Sequence, residues 1–221
     1  MRARLSLLRA RARRELGRYT EATRDGRTAL LLGRHLGGMF LAQVHNELGV
    51  ISKFSVWFAA AQQHYDAAMP LVRAIHGPRS REMAVLWHNL GGLAHARGDF
   101  ANGERLARRA VDLLPRRDPE RLEHEVAHAA LLDGLGRHQE AIAVYRRALR
   151  AYRRRFGPQH VEIALALHNL AASEDALGRF GLARRHYALA LAMQRRVLGV
   201  SHPLRLLTAR NLASLEARRE S

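Results

Sequence analysis

The chain has no cysteine, so disulfide frameworks and cysteine-ligated zinc or iron–sulfur centres are excluded, and a reducing compartment fits. Lysine is almost missing: of 37 basic residues, only Lys53 is not an arginine. A surface selected to grip phosphates ordinarily mixes the two, because both neutralise phosphate. An almost pure arginine set therefore reads first as the mark of a GC-rich genome. No apolar run approaches the ~20 residues of a membrane span, and no membrane partner is expected. Met1–Arg9 has arginines cutting every apolar stretch, which excludes a secretory signal. Acid-free until Glu15, this start resembles an organelle transit peptide, but the register below favours an ordinary first helix. A cytoplasmic protein is the expectation. Glycine-rich phosphate loops and G-x-S-x-G elbows are missing as well, and no cofactor is expected.

What the chain does have is periodicity. Apolar residues make up 48% of it and charged residues 26%, enough for a core, with a net charge of +17. Asn169-Leu170-Ala171, Leu177-Gly178-Arg179-Phe180, Ala183, Tyr187 and Ala190-Leu191 recur 42 residues upstream as Leu135-Gly136-Arg137-His138, Ala141, Tyr145 and Ala148-Leu149, and downstream as Asn211-Leu212-Ala213. The frame returns as Asn89-Leu90-Gly91, Gly98-Asp99-Phe100, Ala107 and Ala110, then as Leu48-Gly49, Phe58, Ala61, Tyr65 and Ala68. Its first copy is Leu16-Gly17-Arg18-Tyr19, Glu21-Ala22 and Ala29-Leu30. One continuous domain over 1–221 is expected, with copies at about 3–36, 42–77, 82–117, 120–157 and 162–199 and a final helix at 203–219.

Each copy reads as two helices. An apolar stripe at i, i+3, i+4 and i+7 makes the first amphipathic. Glycine supplies the left-handed residue that closes it. The second helix carries small alanines where backbones approach. Gly77-Pro78, Gly157-Pro158 and His202-Pro203 stop one helix or start the next. One hairpin cannot bury its own apolar face, whereas a stack can. Strand alternation is not found. The fold class expected is all-α, a right-handed α-solenoid of about five hairpins plus a terminal helix. Arg9 and Arg13 stand where the first helix should be apolar, which suggests a solvated cap or a segment cut from a longer protein, the second being slightly favoured.

This pattern of small residues, a Gly-Asp/Arg-aromatic turn, Glu-Ala, Tyr and Ala-Leu resembles the tetratricopeptide repeat. Its 42-residue period and its Asn-Leu-Ala motif resemble the long-helix subgroup of kinesin light chains and many bacterial regulators. The resemblance implies that first helices line a concave groove that holds a protein or peptide segment. Asn46, Lys53, His88, Asn89, His95, Asp133, His168, Asn169, Asp175, Arg210 and Asn211 project onto that groove. In such proteins the Asn before Leu-Gly/Ala often bonds a peptide backbone, which the resemblance extends to Asn89, Asn169 and Asn211. A carboxamide both donates and accepts, so a row of them suits any sequence. The competing role is bonding between neighbouring helices.

His45, His88 and His168 each precede an Asn, but they lie a repeat or more apart, too far for one zinc ion. A groove-wall or capping role is expected for them. His124-Glu125-Val126-Ala127-His128 matches HExxH, the helical zinc-hydrolase signature. No extended pattern follows it, and His128 stands where other copies have Leu90 and Leu170, pointing into the stack; neither metal nor catalysis is expected. Arginines cluster on second helices at Arg108-Arg109, Arg146-Arg147, Arg153-Arg154-Arg155, Arg184-Arg185 and Arg195-Arg196. They read as a solvated face or as a surface for nucleic acid or an acidic partner. The leading expectation is a non-catalytic interaction module, part of a larger bacterial regulatory protein; the alternatives are nucleic-acid binding and, last, zinc hydrolysis.

Overall fold

A computed structural model describes residues 1–220, with side chains as far as Arg218. The described residues form eleven α-helices and no strand: α1 (Arg2–Glu15), α2 (Tyr19–Leu32), α3 (Gly38–Phe54), α4 (Phe58–His76), α5 (Arg81–Ala96), α6 (Phe100–Leu113), α7 (Arg121–Gly134), α8 (His138–Phe156), α9 (Val161–Ala176), α10 (Phe180–Val197) and α11 (Pro203–Glu220). It is an all-α helical-repeat solenoid. Contacts divide it into two compact units, Met1–His128 and Ala129–Ser221, with the boundary inside α7.

In the first unit α1/α2, α3/α4 and α5/α6 pair as hairpins. α2 then packs on α3 and α4 on α5, while the first helices α1, α3 and α5 also touch in series. In the second unit α9 packs on α8 and on α10, and α10 packs on α11.

The turn chemistry explains the hairpins. Gly17, Gly98, Gly136 and Gly178 have φ of 73°, 77°, 75° and 71°. The N–H after each returns to a carbonyl five residues back, as from Arg18 to Arg13 at 2.8 Å and from Arg179 to Glu174 at 2.8 Å. That left-handed closure satisfies carbonyls the helix end would orphan. The turn between α3 and α4 makes the same bonds, Trp57 N–H to the Ser52 carbonyl at 2.9 Å, with Val56 at φ 63° in the glycine's place.

Second helices approach their partners over alanine. Ala22, Ala61, Ala141 and Ala183 are 0% exposed, and Ala29, Ala68, Ala148 and Ala190 likewise. The buried rings of Tyr65, Tyr145 and Tyr187 fill the space beside them. Gly49 of α3 lies so close to Tyr65 that a Cβ there would stand 2.4 Å from the ring.

Arg9 and Arg13, anomalous in an apolar stripe, reach Asp25 of α2 at 2.8 and 2.6 Å. Arg14 meets Glu47 of α3 at 2.6 Å. Asp25 and Glu47 are both buried. The polar side of α1 is thus the cationic half of an ion network with buried carboxylates of α2 and α3.

Candidate binding surface

The sequence-selected residues fall on the first helices, and within each unit they have different employments. On α3 and α5, Asn89 Nδ2 donates to Asn46 Oδ1 at 2.7 Å. Asn89 is buried and Asn46 half-buried, so this pair ties neighbouring first helices. Lys53, nearly two turns further along α3, lies with Nζ 4.7 Å from the centroid of Phe54 and reaches α5, where a Cβ on Gly92 would sit 3.2 Å from Nζ. No carboxylate pairs with it among the described residues. Burial, and then the Arg14 charge, bring its ammonium down to about 8.

His88 packs edge-on against His124 of α7, ring centroids 4.7 Å apart. Nδ1 of each is buried without a partner. Burial first, then the charges of His124 and Lys53, lower His88 to about 3; burial lowers His124 as well. His45 turns to His64 of α4, Nδ1 to Nδ1 at 3.1 Å, so one ring must donate and the other accept. Burial, then His45 and Arg27, lower His64 to about 4. His95 is exposed, edge-on to Phe100 at 5.4 Å.

In the second unit, Asp133 accepts from Ser173 Oγ at 2.6 Å and Tyr145 Oη at 3.2 Å, with His138 Nδ1 at 2.8 Å. Its carboxylate is fully used in holding α7, α8 and α9 together. His168 is buried, its Nδ1 2.9 Å from Thr208 Oγ1. Thr208 donates its hydroxyl to the Leu204 carbonyl, so the His168 ring is the donor to Thr208. Burial lowers His168 to about 4.

Asp175 Oδ2 takes Arg218 at 2.6 Å, while its Oδ1 is buried without a partner. Asn211 donates to Tyr187 Oη at 3.4 Å. Asn169 is half-buried, and its carboxamide has no partner among the described residues. Arg210 is exposed and unpaired among them. Apart from the buried, unpartnered Nδ1 atoms of His88 and His124 and Oδ1 of Asp175, the side chains left without a hydrogen-bond partner include Lys53 in the first unit and Asn169 and Arg210 in the second. Sequence register placed all of these on first helices but could not show which had been claimed by neighbours. His64, Thr208, Tyr187, Ser173 and Arg218 are among the claimants, and nothing in the local pattern marks them.

The HExxH segment is dispersed. His124 faces His88, while His128 Nε2 lies 3.0 Å from Glu104 of α6. Glu125 pairs with Arg121 at 3.0 Å. Among the described residues no three His, Cys, Asp or Glu side chains converge as a metal site.

A tetratricopeptide-repeat model matches residues 120–196 and 162–221, and the same hairpin, turn and alanine spacing extends upstream of them. Residues 120–221 thus carry tetratricopeptide repeats, and the helices upstream repeat the same hairpin fold. The chain's structure is similar to TPR-like repeats assigned to a kinesin light chain of Podosopora anserina, with a TM-score of 0.60, 18% identity, and coverage of 88% of this chain and 96% of that one. A single-residue variant of the same repeats gives a TM-score of 0.61 at 18% identity, over 88% and 95% of the two chains. It is also similar to BtubC (BKLC) from P. vanneervenii, with a TM-score of 0.62, 16% identity, and coverage of 91% of this chain and 82% of that one. No curated protein matches the sequence at a significant level. Repeats of this family generally mediate protein–protein contacts and are typically scaffolds. No helix among the described residues is long and apolar enough to cross a membrane.

Proposed function

We propose that this chain is a non-catalytic module that takes an extended protein or peptide segment along its first-helix face, in the cytoplasm and as part of a larger bacterial regulatory protein. The observation that carries the reading is Lys53. A half-buried ammonium with three donors and no carboxylate partner is costly unless something accepts from it, and it lies beside the Asn46–Asn89 pair on the face where a segment would run. A backbone carbonyl or a carboxylate from a partner would satisfy it. Asn169 offers the corresponding open donor and acceptor in the second unit.

The test is capture from a cell extract at high salt after nuclease treatment, comparing the native chain with Lys53→Met/Asn169→Ala. A discrete protein held by the native chain and lost by the variant, with melting unchanged, supports the reading. Equal retention by both refutes it. Asn89→Ala is the wrong probe, because it would strand the Asn46 carbonyl and change the packing of α3 on α5.

A further inference from the structure

Among α8, α9 and α10 of the second unit, charge is sorted by helix, while α11 carries both signs. α8 and α10 together carry ten arginines and one carboxylate, Glu140, while α9 carries three carboxylates and no arginine. Genomic drift toward arginine would enrich every helix alike; it would not strip acids from α10 and arginines from α9. Selection on the second-helix face accounts for the sorting.

The two basic helices flank α9 and reach one of its residues. Glu174 of α9, 0% exposed, takes Arg146 of α8 at 3.4 Å and His186 of α10 at 2.6 Å. One buried carboxylate thus draws both helices to a single point, from which their arginines spread outward. On α8, Arg150, Arg153 and Arg154 continue the stripe that Arg146 begins, at helical spacings of three and four. On α10, Arg184 and Arg195, and likewise Arg185 and Arg196, are three turns apart, about 16 Å along the helix. All seven of these outlying arginines are exposed, and none pairs with a carboxylate among the described residues. Ala188 and Ala192, exposed between the α10 pairs, leave room for a rigid backbone to approach.

The composition of the face selects among anionic partners. Tyr145, Tyr152 and Tyr187 are buried, and Phe180, exposed at the start of α10, already has Arg218 over its ring at 5.9 Å, so the face offers no row of rings for stacking on bases. The exposed side of α8 carries nothing apolar larger than Ala143, and on α10 Phe180 and Leu182 at its start, Leu189 in its middle and Val197 at its end are separated by seven or eight residues, which is no continuous apolar edge to sink into a bilayer. What is left is an array of planar, multi-donor guanidinium groups suited to phosphate oxygens. We propose that the exposed α8–α10 face binds nucleic acid through its phosphate backbone, without reading base sequence.

The experiment is fluorescence anisotropy with a labelled mixed-sequence DNA duplex and its single strand, titrated across salt. Two charge-matched variants are compared: Arg150→Gln/Arg154→Gln/Arg185→Gln/Arg196→Gln on the face, and Arg2→Gln/Arg4→Gln/Arg34→Gln/Arg73→Gln, all exposed, in the first unit. The face variant should lose at least tenfold in affinity, and its salt slope should fall by about 3 to 4, close to one per phosphate contact removed. The control should keep most of both. Lys53→Met/Asn169→Ala should bind DNA like the native chain, which separates this face from the first-helix face. Equal losses in the two charge variants would reduce the effect to net charge and overturn the proposal. So would capture by phosphatidylserine vesicles without DNA binding, or displacement of DNA by polyglutamate at matched charge. Circular dichroism checks folding. Should the quadruple variant fail to fold, the α8 pair and the α10 pair are replaced separately, each expected to lower the slope by about 2.

Discussion

Val56 occupies the backbone conformation that Gly17, Gly98, Gly136 and Gly178 occupy in the corresponding turns. A β-branched residue pays roughly 1–2 kcal/mol to stand there, and Val56, 67% exposed, recovers little of that by burial. Val56→Gly should therefore raise the melting temperature, by the equivalent of up to about 1 kcal/mol once glycine's larger unfolded-state entropy is set against the relief. A lower melting temperature would show that the valine side chain makes a stabilising contact. The sequence frame places a turn here, but strain is a property of φ, and valine in the glycine position carried no warning of its own. Glu174 is the opposite case. Its buried carboxylate is held by Arg146 and His186, and Glu174→Ala, leaving the Arg146 guanidinium and the His186 ring facing a cavity, should cost about 3 kcal/mol in chemical denaturation. A loss under ~1 kcal/mol would mean that water replaces the carboxylate at little cost.

At the scale of helices, the repeat told which segments are helical and where turns close, because a period and a glycine are written along the chain. It did not tell which polar groups meet across helices. Asn46 and Asn89 are 43 residues apart and His168 and Thr208 are 40 apart; such pairings depend on how one helix is rotated against the next. Arg9 and Arg13 looked misplaced for the same reason, since Asp25 lies on a different helix. Close packing can be tested directly. Gly49→Ala puts a methyl group 2.4 Å from the Tyr65 ring, and Tyr65 is 0% exposed, so the ring has nowhere to retreat. The substitution should cost about 1–3 kcal/mol. Gly181→Ala, where an added Cβ meets nothing within 4 Å, should cost nothing or stabilise α10. Indistinguishable melting of the two variants would contradict the closeness of α3 to α4.

Across the whole chain, five histidines (His45, His64, His88, His124 and His168) have pKa values lowered from 6.5, each chiefly by burial. Above pH 6.5 they are neutral folded or unfolded, and stability is flat on their account. As pH falls below 6.5 the unfolded chain takes up protons that the folded chain refuses, so stability drops continuously toward about pH 4 for His64 and His168 and toward about 3 for His88. Urea midpoints should therefore decline between pH 6.5 and 4. His88→Leu, at a ring whose Nδ1 has no partner to lose, should flatten that decline. A profile that stays level from pH 7 to 5 would refute neutral burial of these rings. The sequence showed three of these histidines in matching register before an asparagine; how far each is buried, and that two pack against further histidines, only packing reveals.

The sorting of charge between α9 and its neighbours α8 and α10 has a kinetic consequence. The three carboxylates of α9 and the ten arginines of α8 and α10 give these three helices an electric moment directed out through α8 and α10. A drifting polyanion would feel that moment over roughly a Debye length, about 10 Å at 0.1 M salt, and the protein would turn toward it before any contact is made. The arginines would then act mainly on the rate of encounter, and dilution of salt would speed arrival more than it slows departure.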